Sequence, residues 1–363
     1  MSNGRCECDG PGWCERHGCR KSPHFYRLCR SRSDYFRMWE RGLGPGQHQQ
    51  RPHQTAPLRG CAIHERPWEG SARPKPWQYR VTAAIPVLDT PDLLEVVIDI
   101  LRLQTMRPFI IVVDTGSTPE HLSRIESLRS SDVEVHSLRL NGVRHPSDFP
   151  AMAMDLAFAV CRTRFLFATH ADCFLRKRTL LSEMVELCES TSPVVGYELS
   201  PRKHKDWKGM VGHTCTMVDM ASMDEIGAGW SLRRLARRYG VEAYHPDPRR
   251  PNWPDTELLL NYLLRENGIT PHLIGHEENH IRNRDDNIDH CRSLTSGLLY
   301  NDTYYQTALG WAEQAMEEAR SRIEEWRNET SPRESTGRTA VRNGRAVSEP
   351  AEPPSPLASS PEQ

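Results

Sequence analysis

The chain of 363 residues has room for one large domain or two modest ones, and for a sizeable core. Lys and Arg number 47 against 48 Asp and Glu, and a net charge of −1 excludes a protein that grips nucleic acid by bulk charge. No run approaches the ~18 apolar residues of a membrane-spanning helix, and the opening MSNGRCECDG has no apolar centre of the signal-peptide kind, so a cytoplasmic protein is expected.

The charge is unevenly spread. Residues 1–80 carry net +8, residues 81–310 net −6 and residues 311–363 net −3. A basic head on an acidic body reads as an added module or docking element, or as drift in a solvated region. Five of the 11 cysteines fall in the first 29 residues: Cys6, Cys8, Cys14, Cys19 and Cys29. Cysteines crowded into a short polar stretch of a cytosolic chain read as metal ligands, because thiolates close a tetrahedral zinc site. The expected structural zinc set is Cys6, Cys8, Cys14 and Cys29, with Cys19 and His17 as substitutes. Free thiols and an iron–sulfur site are the alternatives. A short helix at 33–42 completes this module (1–42), and the Pro-, Gly-, His- and Gln-rich stretch 43–79 reads as a linker.

Regular patterning starts at Arg80. VTAAIPVL (81–88) is a short apolar run and reads as a buried strand. Residues 90–105 open with Thr90 at the cap and Pro91 in the first turn, then repeat apolar residues at helical spacing. Strand 109–114, helix 119–130, strand 133–140, helix 150–161 and strand 164–169 follow. Helix 179–190, strand 193–200, a strand running into a short helix over 215–227, helix 254–268 and strand 271–276 complete the alternation. Strands alternating with helices give an α/β fold with a mostly parallel central sheet and helices on its faces. An amphipathic helix at 304–327 follows the domain 80–310, its segment 311–327 lying beyond that domain. Residues 328–363, rich in Ser, Pro, Glu and Arg, carry too little apolar content to fold and read as a disordered tail.

In such a sheet, ligands bind at the carboxyl ends of the strands. Three polar groups fall there: Asp114-Thr115-Gly116-Ser117, His170-Ala171-Asp172, and His276. Residues i and i+2 of an extended strand share a face, so His170 and Asp172 can act together, and with a distant His they could hold a divalent cation against a diphosphate. Imidazole tilts the choice between Mg²⁺ and Mn²⁺ toward Mn²⁺. A turn-capping Asp beside a hydrogen-bonded His is the plain structural alternative.

VTAAIPVLDTPDLLEVVIDILRLQT followed by FIIVVDTGST resembles the opening of glycosyltransferase family 2. RFLFATHADCFL is similar to the family's strand ending in an acidic metal motif. MDEIGAG resembles its acceptor loop, WPDTELLLNYLL its "ED" helix, and LIGH its closing strand and His. The match spans about 81–310, and the head resembles a cysteine-rich extension seen on some members. The resemblance implies a Rossmann-like GT-A fold and transfer of a sugar from a nucleotide-diphosphate sugar to an acceptor hydroxyl. Position by position, it implies that Pro86 begins the loop over the nucleotide, that Asp114 braces it, and that Thr115 stands where an Asp normally reads the base. Asp155 matches an Asn of the family, and Asp172 the second carboxylate of the metal motif. His170 replaces the first carboxylate, and His276 would be the third ligand. Asp255 matches the general base of an inverting enzyme, with Glu257 as fallback. Arg282 and Arg284, with His280, would close over the phosphates, or else form a solvated charged loop. A binding protein that has lost catalysis and a nucleotidyltransferase are the competing classes; the latter is disfavoured because AAIPVLDTP lacks a Gly-rich loop and a Lys. No nucleic-acid partner is expected.

Overall fold

The computed structural model describes residues 12–14, 19–21, 76–138, 147–199, 208–239, 256–276, 282–291 and 303–330. Near the start, β1 (Gly12–Cys14) and β2 (Cys19–Lys21) pair antiparallel, which sets the backbone of Cys14 opposite that of Cys19. The other members of the expected zinc set, Cys6, Cys8, Cys29 and His17, lie outside the described residues.

The central element is β3 (Val81–Val87), buried along almost its whole length. Its alternation divides the core. Val81, Ala83, Ile85 and Val87 enter one hydrophobic cluster, and Ala84 enters the other. Helix α1 (Pro91–Arg102) begins at Pro91, whose missing N–H is no loss in a first turn, and buries Leu93, Leu94, Val97, Ile98 and Leu101 on the first face. Next come β4 (Phe109–Asp114), α2 (Pro119–Ser127), β5 (Val133–Ser137), α3 (Asp148–Val160) and β6 (Phe165–Ala168). Then follow β7 (Cys173–Leu175), α4 (Leu180–Ser190), β8 (Val194–Glu198), β9 (Thr216–Asp219), α5 (Met220–Glu225) and α6 (Leu232–Tyr239). The last elements are α7 (Leu258–Glu266), β10 (His272–His276), β11 (Arg282–Arg284), β12 (Ile288–Cys291) and α8 (Thr303–Thr330).

Seven strands form the main sheet in the order β10-β8-β9-β6-β3-β4-β5. Every pair in it is parallel except those made by β9, which runs against both β6 and β8. Helices α1, α4 and α8 pack on one face through the cluster that includes Leu180, Leu181, Ala312, Ala319 and Ile323. Helices α3, α6 and α7 pack on the other through Ala153, Phe158, Leu235, Leu259 and Leu263. This is the expected α/β class: a mostly parallel sheet flanked by helices. The chain leaves β3 outward through β4 and β5, then returns to place β6 on the other side of β3. That reversal opens the crevice in which such sheets bind ligands.

The structure adds what the periodicity missed. A second sheet, β11-β12-β7, is antiparallel throughout. The segment NHIRNRDD, expected either to close over the phosphates or to form a solvated charged loop, contains β11, and Asp285-Asp286-Asn287 turns it into β12. Asp285 Oδ1 accepts hydrogen bonds from the backbone of Asn287 and Ile288 at 2.7 and 2.9 Å. Helix α8 runs to Thr330, past the expected end at 327 and into the stretch assigned to the tail. Helix α7 starts at Leu258, four residues later than the apolar pattern suggested. Among the described residues no helix is long and apolar enough to cross a membrane.

Candidate functional site

The carboxyl ends of β3, β4, β6, β8 and β10 share one edge of the sheet, because those strands are mutually parallel; β9 starts there, being reversed. At the end of β4, Asp114 is buried and accepts hydrogen bonds from the backbone N–H groups of Gly116 (3.3 Å) and Ser117 (3.1 Å). Gly116 has φ +120°, a conformation that suits glycine and lets the chain fold back over the carboxylate. Burial pushes the Asp114 carboxyl above its usual range, against these hydrogen bonds. Thr115 turns inward, its hydroxyl donating to Val87 O at 3.0 Å. Pro86 sits within β3, half-buried and paired with Val113, so the loop over this edge begins after it.

Asp89, which sequence reasoning passed over, ties that loop down. It has φ +52°, accepts from Thr118 N at 2.7 Å, and pairs with His121 Nδ1 at 3.0 Å. Asp155, on α3, accepts from Trp230 N at 2.8 Å and so anchors the stretch after Gly229. Burial raises its pKa to about 6, against the opposing effects of that hydrogen bond and of Arg234.

At the end of β6, His170 and Asp172 stand together as expected. The third residue beside them is His290, on β12. Pairing of His290 with Cys173 and a hydrogen bond from Cys291 N to Asp172 O (3.0 Å) bring β12 against this turn. His170 Nδ1 and His290 Nε2 lie 3.8 and 3.6 Å from Asp172 Oδ1. One ligand atom from each of the three falls within 4.8 Å of the others. Two ligands at ~2.1 Å from one ion are separated by about 3–4.2 Å, so the set fits a divalent cation with little adjustment. Burial and the charge of nearby His213 hold His290 at a pKa of about 3, so its imidazole is neutral and its nitrogens can ligate. Its Nδ1 has no hydrogen-bond partner among the described residues. The signal for His290 in the sequence was the Asp-Asp-Asn turn between two short runs, a hairpin cue.

His276 is placed elsewhere. It ends β10, largely exposed, with Nδ1 2.5 Å from Glu198 Oε2. Three strand spacings of ~4.8 Å separate β10 from β6, a lateral distance of about 14 Å. Arg282 and Arg284 are also engaged. Arg282 makes a two-pronged pair with Asp289 (2.7 and 2.5 Å), and Arg284 reaches Glu318 on α8 at 2.6 Å.

Asp255 lies outside the described residues. Glu257, at the start of α7, is buried; one of its oxygens is hydrogen-bonded to His213 Nδ1 and also accepts from His213 N at 3.3 Å. Burial would raise the Glu257 pKa, but the charge and hydrogen bond of His213 outweigh it and keep the carboxyl ionised. The His213 ring in turn packs on His170, with centroids 4.2 Å apart. Nothing in the sequence pattern marks His213, because its place depends on the turn that enters β9.

No protein-family model matches the chain, and no curated protein matches it. Solved structures resemble it at low identity. The mannosyltransferase PcManGT from Pyrobaculum calidifontis, in complex with GDP-Man and Mn²⁺, is 13% identical over 84% of each chain, with a TM-score of 0.39. S. aureus TarS is 12% identical over 59% of this chain and 37% of its own, with a TM-score of 0.41. A shorter TarS structure, residues 1–349, is 14% identical, and 50% of its length is spanned, with a TM-score of 0.33. Glucosyl-3-phosphoglycerate synthase from Mycobacterium tuberculosis, in complex with phosphoglyceric acid, is 13% identical over 66% of this chain and 80% of its own, with a TM-score of 0.35.

Proposed function

We propose that this chain is a glycosyltransferase of the GT-A type, moving a sugar from a nucleotide-diphosphate donor to an acceptor hydroxyl with the help of a divalent cation. One observation carries the reading: the braced turn at Asp114 and the cluster His170, Asp172 and His290 flank the point where the strand order reverses around β3. A nucleotide laid across that crevice would set its base side toward the Asp114–Thr115 turn and its diphosphate toward the cluster. The motif order from 81 to 276 agrees with that placement.

In this reading the cation is held by His170, Asp172 and His290; when bound, it supplies positive charge to the departing diphosphate. Asp89, Asp114 and Thr115 shape the floor beneath the nucleotide, and Asp155 holds the acceptor-side stretch at Trp230. Asp255 takes the proton of the acceptor hydroxyl as it attacks the anomeric carbon from the face opposite the diphosphate. Glu257 is the less suited of the two, since His213 already occupies one of its oxygens. In the head, a structural zinc on Cys6, Cys8, Cys14 and Cys29 would stand apart from this chemistry.

A second reading, a nucleotide-sugar binding protein without turnover, is favoured by Thr115, whose hydroxyl is spent on Val87 O instead of facing the crevice. One experiment separates the two. A panel of nucleotide-diphosphate sugars is titrated by calorimetry and assayed for hydrolysis with and without Mn²⁺. Release of sugar, abolished by Asp172→Asn, is expected. Binding without release supports the second reading, and no binding of any nucleotide diphosphate overturns both.

A further inference from the structure

The start of α7 carries a buried polar grip that the reaction just described does not use. Asn261 Oδ1 accepts from Val211 N at 2.9 Å, and its Nδ2 donates to Val211 O at 2.8 Å. Glu257 accepts from His213 N at 3.3 Å and is hydrogen-bonded to the His213 ring. Asn261 Nδ2 also donates to Glu257 O at 3.0 Å, and residues four apart share one face of a helix. Val211, His213, Glu257 and Asn261 are all buried. One helix face therefore holds the 211–213 segment at both of its ends.

What this grip delivers is a ring set against the cation cluster. The centroids of His213 and His170 are 4.2 Å apart, with the planes inclined by 51°. Stacked and tilted aromatic pairs usually stand about 4.5–7 Å apart, so the two rings are in tight packing contact. The His290 ring meets His170 edge-on at 5.5 Å. We propose that His213 is a positioning residue for the cation site: α7, through Glu257 and Asn261, holds its ring against that of His170 and so keeps His170 turned toward Asp172 and His290.

Packing of this kind bears directly on metal affinity. A ligand side chain has to be kept within about 0.5 Å and 10–20° of its productive geometry by the groups around it. His170 lies on the turn after β6, and its 3.8 Å approach to Asp172 Oδ1 is too long for a hydrogen bond. The ring of His213 supplies a surface that holds it. A ring already held gives up less rotational freedom when the ion binds. By linkage, the bound ion steadies the 211–213 segment in return. Asp255 precedes Glu257 by two residues, so a change at Glu257 reaches the proposed base as well, and turnover is the wrong readout.

This inference rests on the cation site of the reading above, so the test measures metal binding by the full chain, without nucleotide. Metal-free protein is titrated with Mn²⁺ by calorimetry. Two double variants carry the comparison, and each removes the buried carboxylate together with its partner so that no charge is stranded. His213→Phe with Glu257→Leu keeps a flat ring against His170; His213→Leu with Glu257→Leu does not. The first should bind Mn²⁺ close to the wild-type affinity. The second should bind about 10–100-fold more weakly, the usual cost of losing a group that orients a metal ligand. Urea denaturation shows whether each variant is folded. Should either fail to fold, hydrogen exchange of the wild type decides: Mn²⁺ should slow exchange at the Val211 and His213 amides more than at those of β5, at the far edge of the sheet. Equal Mn²⁺ affinity in the two folded variants, or equal protection at the two places, would overturn the positioning role while sparing the cation site. No Mn²⁺ bound by the wild type would remove both.

Discussion

Arg282 offers the sharpest discrimination between a phosphate-gripping residue and a structural one. Its guanidinium is 9% exposed and pairs through two hydrogen bonds with Asp289, which is 2% exposed. It also lies 5.3 Å from the centre of the Trp311 ring. Arg282→Ala leaves the Asp289 carboxylate buried without its main partner, a change that costs about 3–5 kcal/mol. Arg284, 3.7 Å from the same carboxylate, offsets part of this and places the expected loss near the lower end. Replacing both partners by apolar residues, as in Arg282→Met with Asp289→Leu, removes the stranded charge and should recover stability to within ~1 kcal/mol of wild type. Urea denaturation of the two single variants and the double variant completes the cycle, with nucleotide-diphosphate affinity measured on folded Arg282→Ala and expected to match wild type. If Arg282→Ala unfolds within ~1 kcal/mol of wild type but loses nucleotide affinity, the pairing with Asp289 is incidental and the arginine belongs to the donor.

Asp155→Asn should flatten part of the pH dependence of stability. The native carboxyl, with its pKa raised to about 6, holds a proton that the unfolded chain releases near 4, so its penalty is absent below pH 4 and grows as pH rises through 6. The penalty amounts to at most about 3 kcal/mol at pH 8. Asn keeps an acceptor for Trp230 N, so the variant should match wild type at pH 4 and exceed it at pH 8; equal stability at both pH values would refute the raised pKa. Gly196→Ala should destabilise by about 1–3 kcal/mol, because a methyl there overlaps Thr216 Oγ1 and comes 2.5 Å from Val211 Cγ2; an unchanged melting temperature would show that β8 and β9 do not pack so closely. For the head, the full chain should carry about one zinc more than a chain lacking residues 1–42, as elemental analysis of reduced protein would reveal; equal zinc content removes the structural site.

Much of this protein was legible in order along the chain. The buried strands 81–87 and 109–114, the helix opening at Pro91 and the turn at Asp114 follow from hydrophobic runs, a fixed proline φ and a glycine that can take φ +120°. His170 and Asp172 were within reach for the same reason, since two residues apart at a strand end is a local relation. What the tertiary structure alone decided are the partners brought from far along the chain. His290 reaches Asp172 because a three-stranded antiparallel sheet folds β12 back against β7, setting His290 opposite Cys173, far back along the chain. Arg282 became structural because the hairpin sets Asp289 opposite Arg284, diagonal to Arg282 and within its reach, and Glu257 was claimed by His213 because α7 packs beside the turn into β9. Periodicity reports which face of an element is buried. It carries no record of which distant residue will meet that face, since pairing energy between side chains exists only once the intervening chain has closed its loop.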